Sequence, residues 1–446
     1  MKPSRLLLTV ILALGLTFAL LWMLQDSPGP ASADTDLASS SATLARQHDP
    51  VVITGGLLSN LIGGSLDDIF VYAYQGATPT QIPFQIDERD EGGMFVAVED
   101  GLLDNNDELV FMAMDGGGWA NRPSLDAGGT SITPTYVIAL HDPISDTHAW
   151  AYVFSSPALS RTFTADYVSY DEGTDRIASP GRYAVGFSAA HPFRDYLTLG
   201  DSSVDVLDRE KLRIAGAVSI PPFPTVSISA DEEDITQDGV HVLDGPVRVT
   251  RVSTLTLSVG PGVSVQRTST LFAYRSLVVQ PIPFTVPSAP FQIDHLRISV
   301  DWNEQASGMT YYDANNPAGV AIDGSPDAVI VTPPTRWTQV TGVTGAVVNV
   351  SQVPVGLGGT QSTYYKDDST VDSDDTGDRR SYGDAGCQVD GPSAGTYTLL
   401  GHMYFLTGTS TNVGAVYEDY HDHPLLVSVA PFTPMRYVYL PVVIRE

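Results

Sequence analysis

Val247-Arg248-Val249-Thr250-Arg251-Val252-Ser253-Thr254-Leu255-Thr256-Leu257-Ser258-Val259 is built, apart from its two arginines, from aliphatic and hydroxyl side chains, most of them β-branched. Such residues fit the pleated, half-buried surface of a sheet. Shorter runs of similar make occur at Ile69 to Tyr74, Leu109 to Met114, Tyr136 to Leu140, Ala149 to Phe154 and Ala346 to Val350, with Gly, Pro, Asn and Asp between them. The 40 Gly and 31 Pro are enough to punctuate a many-stranded protein. Long helical periodicity is absent, and short helical turns are expected only near Asp205 to Leu212. No blade-length repeat is visible, which favours sandwiches over propellers. The pattern predicts an all-β fold: two or more antiparallel β-sandwich domains behind an N-terminal export or anchor segment.

That segment is the clearest local signal. Lys2 and Arg5 precede a predominantly apolar, uncharged run of 19 residues from Leu6 to Leu24. A positive flank before such a run directs export and keeps the charged end in the cytoplasm. Ala31-Ser32-Ala33 has the pattern of a cleavage site, while the run is nearly long enough to span a bilayer. Residues 1–33 therefore read as a signal peptide or a membrane anchor, and an extracellular or cell-surface location is expected for the rest. Membrane contact is expected only through this segment. The remaining chain divides into a flexible linker at 34–49, an N-terminal β domain at 50–160, a larger β-sandwich domain at 161–430 and a tail at 431–446. Within the larger domain, Pro221-Pro222-Phe223-Pro224 reads as a turn or rigid connector. Pro83-Phe84-Gln85-Ile86-Asp87 recurs as Pro290-Phe291-Gln292-Ile293-Asp294, through duplication or coincidence of strand composition.

Lys and Arg total 23 against 52 Asp and Glu, a formal charge of −29. A surface this acidic repels phosphate backbones, so no nucleic-acid partner is expected, and it suits divalent cations. The single cysteine, Cys387, excludes an intramolecular disulfide; with no His near it in sequence it reads as a buried, inert thiol. Of three lysines, Lys211 and Lys366 lie beyond the leader, and neither sits in an apolar run that would depress its pKa.

Four constellations carry candidate chemistry. In Asp100-Gly101-Leu102-Leu103-Asp104-Asn105-Asn106-Asp107-Glu108, the oxygens of Asp100, Asp104, Asn106 and Glu108 could converge on Ca2+, which needs six to eight hard oxygen ligands. The EF-hand glycine and distant bidentate Glu are missing, and the same residues also make an Asx-rich turn. The second group is Asp367, Asp368, Asp372, Asp374, Asp375 and Asp378, with Asp384 beyond. Lys366, Arg379 and Arg380 neutralise it in part, so it either stays solvated or holds Ca2+. The third is His421 and His423 with His402 upstream; an extended segment would point the first two to one side, as a metal pair requires. The fourth is Trp302-Asn303-Glu304 and Tyr311-Tyr312-Asp313, the mix of aromatic faces and polar groups that stacks on sugars. Core packing is the competing reading for Trp302, Tyr311 and Tyr312. No G-x-S-x-G, H-E-x-x-H or phosphate-binding glycine loop occurs.

Ile82-Pro83-Phe84-Gln85-Ile86-Asp87-Glu88, followed by Asp107-Glu108-Leu109-Val110-Phe111-Met112-Ala113, resembles an N-terminal module of exported, mostly uncharacterised bacterial β-sandwich proteins. Gly245-Pro246-Val247-Arg248-Val249 resembles a strand of large β-sandwich proteins, some of which act on polysaccharides. Tyr439-Leu440-Pro441-Val442-Val443-Ile444-Arg445 is similar to a YLPLVxR-type tail of secreted bacterial proteins, which implies export or surface attachment. The resulting expectation is a secreted or surface-tethered protein with a binding or structural role, stabilised by Ca2+ and able to bind polysaccharide or cell-envelope components. The alternative is a polysaccharide-active enzyme, a lyase or glycoside hydrolase, for which Tyr311, Tyr312, His402, His421 and Arg297 are the candidate residues.

Overall fold

The computed structural model describes residues 44–75, 78–119, 125–127, 130–188, 191–260 and 263–433. Residues 1–43, where the export segment and most of the linker are expected, and the expected tail from 434 onward lie outside the described residues. Within them the protein is all-β, with several antiparallel sheets. No helix among them is long and apolar enough to cross a membrane.

Strand Arg248–Gly260 confirms the sheet-forming reading of its sequence and is the second strand of a nine-stranded sheet. That sheet is the middle layer of the protein. Val347 and Val348 show why: neighbouring residues of strand Gly345–Gln352 point to opposite faces, and both are fully buried. On one face Val347, Leu271, Val340, Met403 and Phe405 pack with Tyr183, Trp302 and Tyr311. This core is closed by a four-stranded sheet (169–199) and by a five-stranded sheet. The five-stranded sheet runs in the order Val226–Asp231, Leu207–Val218, Phe291–Trp302, Ser381–Asp390, Thr360–Asp368. On the other face Val348, Val350, Trp337 and Tyr404 pack against Val110 and Met112 of an N-terminal sheet and Tyr417 of helix Gly414–Asp422.

Leu207–Val218 is a twelve-residue strand, so the helical turns expected near Asp205 to Leu212 do not form. Pairing with Phe291–Trp302 along its whole length overrides local preference. The Pro221 to Pro224 segment is the connection from this strand to its hairpin partner Val226–Asp231, as a turn reading requires. Strand Leu426–Pro431, from the far end of the chain, pairs with Tyr136–Asp142 as the edge of the sheet built in the first 160 residues.

The two copies of Pro-Phe-Gln-Ile-Asp both form strands, and in each the Gln amide donates to the Asp two residues on. Their surroundings differ. Gln292 and Asp294 are exposed, whereas Gln85 and Asp87 are buried against the start of strand Arg248–Gly260. Gln85 Oε1 accepts from the backbone N–H of Val247 (2.9 Å) and Arg248 (2.7 Å), and its amide donates to the Arg248 carbonyl. The Arg248 guanidinium, 1% exposed, meets Asp87 and Glu108. Gly245 is required here: a Cβ would come within 2.4 Å of the Gln85 side chain.

Taking Arg248 away would leave Asp87 and Glu108 buried without their shared counter-charge, a loss of about 3–5 kcal/mol. Arg248→Met should lower the denaturant unfolding free energy by that amount. A loss below about 1 kcal/mol, the worth of an exposed pair, would show that the clamp is not a buried one.

Candidate functional site

Side chains alternate along each strand of the five-stranded sheet, so its two faces carry different chemistry. Glu210, Ile298, Val300 and Cys387 point toward the nine-stranded sheet; Lys211, Arg297, Ser299, Asp301 and Asp384 point away.

Between the two sheets lies a cleft of about 80 Å³. Gln280, Asn349, Ser351 and Met403 line it from adjacent strands of the nine-stranded sheet, with Asn349 opposite Met403, and Gln280 and Ser351 both opposite Gly401. Val278, Ile282, Ile298 and Val300 supply apolar wall. Arg194, 6% exposed, is one of the lining residues. Its Nη2 donates to Glu210 Oε1, while Nε and Nη1 are buried without a partner. Each idle buried donor costs about 1–3 kcal/mol until an acceptor arrives. Glu210 is the one carboxylate lining this cleft among the described residues. Cys387, half-buried, lines it too, and burial pushes its thiol up to about 11.

The opposite face holds a buried charge cluster. Lys211 Nζ lies 2.5 Å from Asp301 Oδ2 and 2.8 Å from Asp375 Oδ2, and none of the Lys211 or Asp301 side chain is exposed. The contact to Asp301 is close but lacks hydrogen-bond direction, since Asp301 Oδ2 has no directed donor. Asp384 is also fully buried, and neither of its carboxylate oxygens has a partner. Burial, reinforced by the Asp384 charge, holds the Asp301 carboxyl well above the ordinary carboxylate range. Although burial alone would lower it, the Asp301 and Asp384 charges raise the Lys211 ammonium, which therefore stays charged. Beside this group Arg213 joins Glu232 to Asp375, and Arg297 stacks on Tyr364 at 3.9 Å. The sequence did not flag Lys211 because its partners, Asp301 on a strand and Asp375 in a loop, lie 90 and more residues away.

The acidic run at 367–378 is thus spread over several tasks. Asp375 turns inward onto Lys211 and Arg213 and falls to about 2, its hydrogen bonds and their charges outweighing its burial. Asp367 is buried and accepts from the backbone N–H groups of Asp323, Gly324 and Gly383. Asp368, Asp372 and Asp378 each accept a backbone N–H two residues on, and Asp374 is exposed. In the first acidic loop Asp100 caps the Leu102 N–H, Asn106 donates its amide to the carbonyls of Arg89 and Asp90, and Glu108 is taken by Arg89 and Arg248. Asp104 contributes its backbone N–H to Asp107, the carboxylate that organises this loop. Calcium at either place would have to displace these partners.

The histidine triplet is rearranged by a helix. His421 lies within Gly414–Asp422 and His423 caps it, so the two do not share the side that an extended strand would give them. His421 turns in, edge-on to the His402 ring at 4.7 Å, while His423 Nδ1 faces outward to Asp419. Trp302, Tyr311 and Tyr312 are 1%, 0% and 8% exposed, so core packing replaces the sugar-stacking role expected of them. Neither Arg194 nor Glu210 was singled out by the sequence; an arginine and a glutamate 16 residues apart carry no local signal.

No protein-family profile matches the chain, and no curated protein matches it. Among solved structures, an α-mannosidase from Enterococcus faecalis is similar at 10% identity and a TM-score of 0.45, over 89% of this chain and 45% of that one. A glycosyl hydrolase family 38 protein from the same species gives 10% and 0.44, over 89% and 46%. An α-N-acetylgalactosaminidase from Bifidobacterium bifidum gives 10% and 0.35, over 55% and 38%. The chain spans less than half the length of each of these proteins.

Two outcomes follow from the electrostatics. Burial and the His421 charge lower His402 from 6.5 to about 3, so between those values the unfolded chain binds a proton that the folded chain refuses. Stability is then lost as pH falls through this window. His402→Gln should flatten the loss from pH 6.5 to about 4.5, by less than about 1.4 kcal/mol per pH unit. Asp49, Asp115 and Asp208, each raised to about 6 by burial, act in the opposite sense, so the readout is the difference between variant and wild type. Asp384→Asn removes a buried charge that has no hydrogen-bond partner, and urea unfolding should show a gain in stability. A marked loss would mean that Asp384 is needed to balance Lys211.

Proposed function

We propose that this is an exported carbohydrate-binding protein whose cleft between the two sheets takes one neutral sugar residue. Arg194 carries the reading: a buried guanidinium with two unused N–H donors, lining a cleft with Asn349, Ser351 and Gln280. An apolar wall with a few converging polar groups is the usual make of a small-ligand site. Fixed donors of this kind match the oxygens of adjacent sugar hydroxyls, and Ile298 and Val300 offer a surface to the ring C–H groups. Glu210 already balances the Arg194 charge, and the whole chain bears −29, so an uncharged glycan is favoured over an acidic one. A volume of about 80 Å³ holds several waters, the space a single ring would displace. Export is supported by Lys2, Arg5 and the apolar run after them.

A second reading, cleavage of a polysaccharide, is favoured by Asp301 and Asp384. Burial holds the Asp301 carboxyl above the ordinary carboxylate range beside Asp384, but both side chains are fully buried on the face away from the cleft, so hydrolysis there would need that face to open to substrate.

One panel separates the two. Neutral monosaccharides and oligosaccharides, with galacturonate as the acidic control, are titrated by calorimetry and followed by reducing-end release. Binding without release, weakened about tenfold or more in Arg194→Gln and in Asn349→Ala, is the expected result; tenfold is about 1.4 kcal/mol. Asn349→Ala leaves the Arg194–Glu210 pair intact and guards against misfolding. Release that vanishes in Asp384→Asn would favour the enzyme. No binding at millimolar sugar would overturn the cleft as a glycan site.

A further inference from the structure

We propose that the hairpin formed by Tyr136–Asp142 and Thr147–Ser155 carries a binding site for one divalent transition-metal ion, made by His141, Asp146 and His148. Among the described residues these three form the one group of His, Cys, Asp or Glu side chains whose potential ligand atoms all lie within 4.8 Å of one another. His141 and His148 are directly opposite in the hairpin register, so both imidazoles leave the same face of the sheet. Their rings lie parallel, with centroids 4.3 Å apart, and His141 Nε2 is 3.0 Å from Asp146 Oδ1.

The carboxylate is placed by the turn. Asp142, 1% exposed and held by Arg46, accepts from the Ile144 N–H and the Ser145 hydroxyl, which fixes the loop. Asp146 then takes a left-handed backbone, φ 54°, and its side chain projects to His141. A strand-to-strand pair and a turn residue thus converge at one end of the hairpin.

Two imidazoles and one carboxylate suit zinc, nickel or copper rather than calcium, which prefers oxygen alone. Tetrahedral zinc with bonds of 2.0–2.1 Å would draw the ligand atoms to about 3.4 Å apart. That is a small contraction for side chains that are partly or wholly exposed. In sequence the site reads His141-Asp142-Pro143-Ile144-Ser145-Asp146-Thr147-His148, a turn with one His on each side.

Trp150 provides the readout, since its ring lies 6.0 Å from His148 and nearly parallel to it. Chelator-treated protein is titrated with Cu2+ while tryptophan fluorescence is followed, and Zn2+ is then added as competitor. The expected result is saturable quenching with one ion per chain, reversed by Zn2+. Affinity should fall about tenfold or more in His141→Ala and in His148→Ala, and be unchanged in His421→Ala and His423→Ala. Equal affinity in wild type and in a His141→Ala/His148→Ala double variant, or no quenching at about 100 μM Cu2+, would overturn the site. Because the three side chains lie on an outer face, unfolding midpoints without metal should match the wild type; a large drop in both variants would shift the test to Asp146→Asn.

Discussion

The clamp on Arg248 is the interaction on which the rest of this structure depends. It is a buried cation held by two carboxylates, Asp87 and Glu108, that come from adjacent strands of the N-terminal sheet. Gln85 binds the backbone at the same point, so the first residues of strand Arg248–Gly260 are held by charge and by hydrogen bonds together. Burying three ionised groups is costly, and only near-complete pairing makes it tolerable. This strand is the second of the nine-stranded sheet, so the clamp ties the small sheet to the middle layer. The residues in it come from two stretches far apart in sequence, Pro83 to Asp87 with Glu108, and Gly245 to Val249. In this structure they are the two halves of one joint.

A middle layer buried on both sides sets the terms for everything packed on it. Its one face meets the N-terminal sheet and helix Gly414–Asp422, and its other face meets the five-stranded sheet. Where the fit against the five-stranded sheet is incomplete, the cleft forms, and Arg194 and Glu210 line it. The period of two along Leu207–Val218 then puts Glu210 in the cleft and Lys211 in the charge cluster behind it. A single sheet therefore separates a site of unused donors from a site of unpartnered carboxylates. Both are unusual in an interior where most buried polar groups are paired.

The residues that looked most functional in sequence are mostly occupied in the fold. Glu108 serves Arg248 and Arg89, Asp367 serves three backbone N–H groups, and Asp375 serves Lys211 and Arg213. Dense acids in sequence suggested a common cation; in space several of them have found donors of their own, while Asp384 is buried without one. The same holds for Trp302, Tyr311 and Tyr312, whose size makes them core residues first.

The sequence by itself determined the class of the fold. β-branched runs separated by Gly, Pro and Asp make strands wherever they lie, because that preference is local and survives any topology. It also set the acidity, the absence of an intramolecular disulfide and the apolar N-terminal run. Tertiary structure alone decided which polar groups would meet. Arg194 meets Glu210, Lys211 meets Asp301 and Asp375, and Arg248 meets Asp87 only through tertiary contacts that span up to 164 residues. His421 and His423 were misplaced for a related reason: a nine-residue helix packed on Trp337 and Tyr404 replaced the extended segment, and with it the period that decides which side chains share a face. Chemistry between side chains depends on distance in space, and a sequence without its pairings carries little information about that distance.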